Sequence, residues 1–162
     1  MNKNILLIYF SWKGATKRVA LDIKKILEKK YRLEVYEIKP KVERNYFDWL
    51  IRSFIPNSRV QINPLPFNLT HYDLIYLGLP KWTFSCPPIN EYLSLISGVE
   101  GKKFKVFITY GGFDEDRYLK AFLKKLKGKK IKVVATLKVK RSEIGKEEYL
   151  RSINEFCSES FN

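Results

Sequence analysis

The chain is poor in the residues that build disulfide frameworks and metal clusters, since its 162 residues include two cysteines and one histidine. Cys86 and Cys157 are far apart and form no C-x-x-C pair, so neither a disulfide framework nor a cysteine-based zinc site is expected. His71 stands alone, so a catalytic triad or a cluster of histidine ligands is not expected either. The sequence predicts no metal site.

Long apolar runs are also missing. The N-terminal run 5–10 is shorter than the apolar core of a signal peptide, and no stretch approaches the roughly twenty residues that span a membrane. A cytoplasmic protein without a membrane span is expected by default. The length predicts one domain over residues 1–162, and an apolar content of 45% supplies it with a substantial core.

Acidic residues are scarce relative to basic ones, 17 against 31, which gives a formal net charge of +14. Such a charge favours acidic partners, nucleic acid or anionic surfaces. Part of it is concentrated in residues 120–141, where lysines alternate with apolar residues. These lysines form either a solvated rim or an interaction surface, and the absence of a recognised nucleic-acid motif argues against a specific nucleic-acid partner.

The apolar pattern predicts five strands that alternate with five helices. Unbroken or alternating apolar runs place strands at 5–10, 33–38, 72–79, 105–110 and 131–139. Apolar residues at helical spacing place helices within 19–30, 46–55, 89–96, 118–126 and 147–157, with a long loop between the second helix and the third strand. Such alternation predicts a three-layer α/β fold with a parallel sheet and right-handed crossovers.

Ligands of open parallel sheets bind beyond the carboxyl ends of the strands, so three loops matter most. SWKGATK, residues 11–17, offers two hydroxyls, a glycine and a run of N–H groups that leads into a helix. This arrangement suits a phosphate group, although Ser11 or Thr16 could instead cap the helix. No dinucleotide or nucleoside-triphosphate glycine motif occurs elsewhere.

The other two loops are PKWTFSCPP, residues 80–88, and TYGGFDED, residues 109–116. Trp82 and Phe84 could stack on a planar ligand or fold back onto the sheet, and Tyr110 adds a further aromatic ring. Cys86 precedes a helix that begins with prolines, so its thiol is either ionised by the helix dipole or an ordinary packing residue. Asp114, Glu115 and Asp116 are expected either to cap the fourth helix or to support its start electrostatically, and His71 is expected to lie on the surface.

Together the three loops resemble those of the flavodoxin family. The family pattern [ST]-x-T-G-x-T is met by Ser11, Gly14 and Thr16, with Lys13 where the family has threonine. The resemblance extends through YDLIYLGLPKWTFSCPPINEYL and FKVFITYGG and covers nearly the whole chain. It implies the flavodoxin-like strand order 2-1-3-4-5 and flavin mononucleotide (FMN) as cofactor.

The resemblance also implies how the three loops divide the FMN site between them. The phosphate is expected at Ser11, Trp12, Lys13, Gly14, Ala15 and Thr16, and the ring is expected between Pro80, Lys81, Trp82, Thr83 and Phe84 on one side and Thr109, Tyr110, Gly111 and Gly112 on the other. Lysine at position 13 either strengthens the phosphate site by its charge or weakens it by loss of a hydroxyl. No catalytic side chain is assigned, because the cofactor performs the electron chemistry.

The function expected from the resemblance is electron transfer between redox partner proteins that present acidic docking surfaces. An FMN-dependent oxidoreductase that acts on a quinone or porphyrinogen is the first alternative. A flavodoxin-like binding module that has lost its flavin and uses its basic surface is the second. Since family members are acidic and this chain is basic, its reduction potential is expected to be less negative than theirs.

Overall fold

The computed structural model describes residues 3–158, so the outermost residues of the predicted domain 1–162 lie outside it. Strands and helices alternate as predicted. The strands are β1 Asn4–Tyr9, β2 Arg32–Glu37, β3 Leu74–Pro80, β4 Lys103–Tyr110 and β5 Lys132–Lys140. The helices are α1 Ala15–Leu27, α2 Tyr46–Phe54, α3 Pro87–Leu95, α4 Glu115–Gly128 and α5 Glu147–Ser158, with a 3-10 turn at Arg141–Glu143.

The five strands form one parallel sheet in the order β2-β1-β3-β4-β5, which confirms the predicted fold class and strand order. β1 is central, because Ile5 is aligned with Leu33 of β2 on one side and Leu74 of β3 on the other. All five carboxyl ends therefore lie at the same edge of the sheet. Within residues 3–158, no helix is long and apolar enough to cross a membrane.

Both faces of the sheet are covered, as the unbroken apolar run of β1 predicts. Ile5 and Leu7 point to a cluster that includes residues of α1 and α5, whereas Leu6 and Ile8 point to one that includes residues of α3 and α4. Helices thus pack on both faces and complete the three layers.

The lysines of residues 120–141 are mostly exposed, as expected of a solvated rim. Lys132, Lys138 and Lys140 lie on β5, the edge strand, where charged side chains discourage pairing with other strands. Lys125 and Lys129 are half-buried, and the ammonium group of Lys125 donates to the side-chain oxygens of Asn57 and Asn90. Whether the rim also binds a partner stays a hypothesis.

One glycine is required by close packing in the middle of the sheet. Gly78 of β3 is aligned with Phe107 of β4, and the Phe107 ring occupies the space that a side chain at position 78 would need. A Cβ atom there would lie 2.1 Å from the ring. Because Phe107 is fully buried, the ring has little room to move away.

Gly78→Ala is therefore expected to lower the free energy of unfolding by about 1–3 kcal/mol, the usual cost of overpacking a core. Gly128→Ala is the matched control, because a Cβ at that helix end meets no atom within 4 Å. Chemical denaturation measures both variants. Equal stability of the two variants would contradict this account of the sheet.

Candidate functional site

A cleft of about 530 Å³ lies at the carboxyl edge of the sheet, where the sequence predicts a ligand site. Its wall brings together most of the predicted residues: Ser11, Trp12, Lys13, Ala15, Thr16, Pro80, Lys81, Trp82, Thr83, Thr109 and Tyr110. Four predicted residues lie outside the wall, namely Gly14, Phe84, Gly111 and Gly112. The three loops thus meet at one cleft.

The start of α1 is left without a side-chain cap. Gly14 occupies the N-cap position with a left-handed φ of 88°, and no side chain among the described residues 3–158 caps the exposed N–H groups. The alternative that Ser11 or Thr16 caps this helix is wrong, because Thr16 lies within the first turn and its hydroxyl is 2.8 Å from that of Thr109. The first turn also has no acidic residue to offset the positive end of the helix dipole.

The hydroxyl of Ser11 is the second feature that lacks a partner. Its oxygen is buried and makes no hydrogen bond to any residue in the described range 3–158. Burying a hydroxyl without a hydrogen bond costs free energy, and such atoms in proteins are usually satisfied by a partner. Because Ser11 lines the cleft beside the uncapped helix, a ligand there would supply that partner.

Lys13 lies at the mouth of the same loop. Its ammonium group is 4.8 Å from the centroid of the Trp12 ring and 5.7 Å from that of Tyr46, and these two rings stack on each other. The side chain is exposed and its charge reaches the cleft. A cation, an uncapped helix start and an unpaired hydroxyl together form a site for an anion.

Trp82 forms an aromatic wall of the cleft and also packs on the core. Its ring lies edge-on to Phe10 at 5.5 Å and is tilted against Trp49 at 5.3 Å. Trp82 therefore both lines the cleft and packs on the core, and stacking of a ligand on its ring stays a prediction. Phe84, in contrast, is half-exposed outside the cleft and contacts Phe54.

Helix α2 holds the loop that carries Trp82, a role that the sequence did not reveal. The carbonyl oxygen of Ser53 accepts hydrogen bonds from the backbone N–H groups of Phe84 and Ser85, at 2.9 and 3.1 Å. Four α2 residues also line the cleft, namely Tyr46, Trp49, Leu50 and Ser53. The sequence of this helix could have indicated such a role, because it has more apolar residues than one buried face requires.

The helix itself is fixed by polar contacts at its start. The side chain of Asn45 accepts a hydrogen bond from the backbone N–H of Asp48 and so caps α2. Hydrogen bonds from Arg44 and Arg52 lower the pKa of Asp48, which keeps this carboxylate ionised. The cap and the ion pairs place Tyr46 and Trp49 at the cleft.

Four further residues of the wall were missed at the opposite side of the cleft, namely Phe113, Asp114, Arg117 and Arg141. Asp114 occupies the N-cap of α4, but its side chain forms no capping bond and pairs with Arg117 instead, so that part of the capping prediction is wrong. Arg141 follows β5, and its guanidinium lies against Gly111. Because Arg141 follows the carboxyl end of a strand, its position in the sequence could have predicted a place at the cleft.

The structure also decides between the alternatives for Cys86 and gives the position of His71. Cys86 is buried at the start of α3, and burial raises the pKa of its thiol, which opposes the ionised form. Cys86 is thus a packing residue outside the cleft wall. His71 lies exposed in a turn, which confirms the prediction of a surface position.

Comparison with known proteins gives the same fold. The model of a flavodoxin family, Flavodoxin_4, matches residues 4–149. An uncharacterized protein from Archaeoglobus fulgidus is 35% identical over 141 residues, which cover 85% of this chain and 86% of that protein.

Solved structures share the architecture at lower identity. A protein from Bacteroides uniformis has a TM-score of 0.76 and 22% identity over 95% of this chain and 99% of that chain. A flavoprotein in complex with FMN from Lactobacillus acidophilus has a TM-score of 0.62 and 21% identity over 90% and 99% of the two chains. The family model spans nearly the whole of the described sheet and its helices, so the chain belongs to the flavodoxin family.

Proposed function

We propose that the protein binds FMN in the cleft and carries electrons through it. The observation that carries this proposal is the anion site at the start of α1, where Ser11 and the uncapped helix lack partners. A phosphate supplies acceptors for the helix N–H groups and the hydroxyl, and Lys13 adds a charge-assisted contact. The site therefore fits the phosphate end of FMN.

The part of the cleft beyond the phosphate site fits the planar flavin ring of FMN. Trp82 and Tyr110 line it from the loops after β3 and β4, and its volume lies within the range of cofactor pockets. Membership of the flavodoxin family and the FMN complex of the Lactobacillus acidophilus protein support the same cofactor. When bound, the flavin supplies the electron chemistry, and the protein supplies binding, orientation and charge.

A surface beside the cleft favours electron exchange with proteins. Helix α2 exposes an apolar stripe that consists of Phe47, Ile51 and Phe54, each more than half exposed. Arg44 precedes α2 and Arg52 lies in its last turn, and these two arginines outnumber their shared partner Asp48. An apolar stripe on a helix with an excess of basic side chains fits an acidic redox protein that docks at the mouth of the cleft.

An FMN-dependent oxidoreductase acting on a quinone or porphyrinogen is the alternative, and the open mouth of the cleft supports it. A binding module without flavin would leave Ser11 and the start of α1 unsatisfied. The exposed stripe of α2 suits a protein partner, which a small-molecule oxidoreductase does not need, and the unsatisfied start of α1 argues against the flavin-free module, so we favour the electron carrier.

Removal of the phosphate contacts is expected to weaken FMN binding selectively. Ser11→Ala and Lys13→Gln each lose a hydrogen bond to a charged group, so the Kd for FMN should rise by roughly 10- to 100-fold. Riboflavin, which lacks the phosphate, is the control ligand and should bind all variants alike. Fluorescence titration measures both ligands, and an equal loss for riboflavin would contradict the phosphate assignment.

Ser11→Ala is also expected to leave the free energy of unfolding of the flavin-free protein unchanged or slightly higher. The substitution removes a buried hydroxyl that has no partner among residues 3–158. Chemical denaturation of the flavin-free variant measures this effect. A large loss of stability would show that the hydroxyl already has a structural partner.

The docking surface is tested with a small acidic ferredoxin as the electron donor in stopped-flow experiments. We expect the rate of flavin reduction to fall steeply with ionic strength, and the double variant Phe47→Ser, Ile51→Ser to lower it by about tenfold or more. Reduction by dithionite is the control and should not change. A rate that depends on neither salt nor the stripe, together with rapid turnover of a soluble quinone, would favour the oxidoreductase.

A further inference from the structure

Arg141 occupies an unusual place in the cleft. It follows β5 directly, and its guanidinium occupies the space of the side chain that Gly111 lacks, since a Cβ at position 111 would lie 1.8 Å from a terminal nitrogen. Glycine at position 111 is thus needed for the guanidinium to lie against the loop after β4. The same side chain lines the cleft beside Thr109 and Tyr110.

Arg141 is one of two cations on this side of the cleft, with Lys81, that form no ion pair within residues 3–158. Arg117 pairs with Asp114, and Lys138 pairs with Asp116. Arg141 forms no ion pair with any residue in the described part of the chain. Arg141 is exposed, so solvent and salt limit the reach of its charge to a ligand that lies beside it in the cleft.

The position of Arg141 indicates whether its charge would act on the phosphate or on the ring of a bound FMN. The guanidinium of Arg141 lies at Gly111, just after β4, and β4 is two strand intervals from β1, which leads to the phosphate site, or about 10 Å at ~4.8 Å per interval. This separation exceeds the Debye length of about 8 Å at physiological ionic strength, so the phosphate is largely screened from Arg141. A flavin ring between the loops after β3 and β4 would instead lie beside Gly111, against which the guanidinium packs.

We propose that Arg141 stabilises the negative charge of the reduced flavin ring and so raises the reduction potential of the protein. The inference rests on the proposed function, since it needs FMN in the cleft. A cation beside the ring lowers the free energy of the charged reduced form more than that of the neutral oxidised form. Arg141 thus favours reduced FMN over oxidised FMN, whereas Ser11 and Lys13 bind the phosphate of both.

The test compares the FMN-loaded protein with Arg141→Gln and with Lys140→Gln, a control that removes the same charge from the neighbouring exposed position. We expect Arg141→Gln to bind reduced FMN about tenfold more weakly relative to oxidised FMN, a shift of the two-electron potential by about 30 mV to more negative values. The Kd for oxidised FMN should change less than threefold, and Lys140→Gln should match the unmodified protein.

Gly111→Ala provides a second variant, because the new methyl group must displace the guanidinium while the charge of the chain is kept. It should shift the potential in the same direction as Arg141→Gln. Equal potentials for Arg141→Gln and Lys140→Gln would overturn the inference, as would an equal loss of affinity for oxidised and reduced FMN. Failure of the unmodified protein to bind FMN would overturn the proposed function as well, so the two failures are distinguishable.

Discussion

The uncapped start of α1 is the feature on which the site depends. A buried strand in the middle of the sheet must leave its carboxyl edge by a tight turn, and Gly14 makes that turn with a positive φ. Because Gly14 has no side chain to bond to the helix, the first N–H groups face the cleft unpaired. The same turn buries the Ser11 hydroxyl without a partner. The protein thus accepts a local cost that an anion would remove.

The positive charge of the protein divides into two groups, one on exposed surfaces and one in the wall of the cleft. Many of the lysines of residues 120–141 lie on exposed surfaces away from the cleft, where they form a solvated rim. The cations of the cleft wall are Lys13 at the phosphate end, Lys81 after β3, Arg117 in α4, where it pairs with Asp114, and Arg141 after β5. In our account Lys13 contributes to affinity and Arg141 to the balance between oxidised and reduced flavin.

Much of the fold and part of the site could be predicted from the sequence, because both follow from local patterns. The unbroken run of β1 and the helical spacing of α1 define strand, turn and helix before any tertiary contact is known. The contribution of Ser53 could not be predicted, since its carbonyl meets the backbone of Phe84 only after a long loop folds back. The position of Arg141 just after β5 could have been predicted to lie near the site, but its contact with Gly111 could not, because that contact joins the loops of two different strands.

The central claim is that this cleft holds FMN by its phosphate end, and the visible absorption spectrum of the purified protein tests it most directly. The account predicts a flavin band that persists after added FMN is removed by desalting, and a weaker band when riboflavin replaces FMN. A protein that stays colourless both before and after the addition of FMN would contradict it.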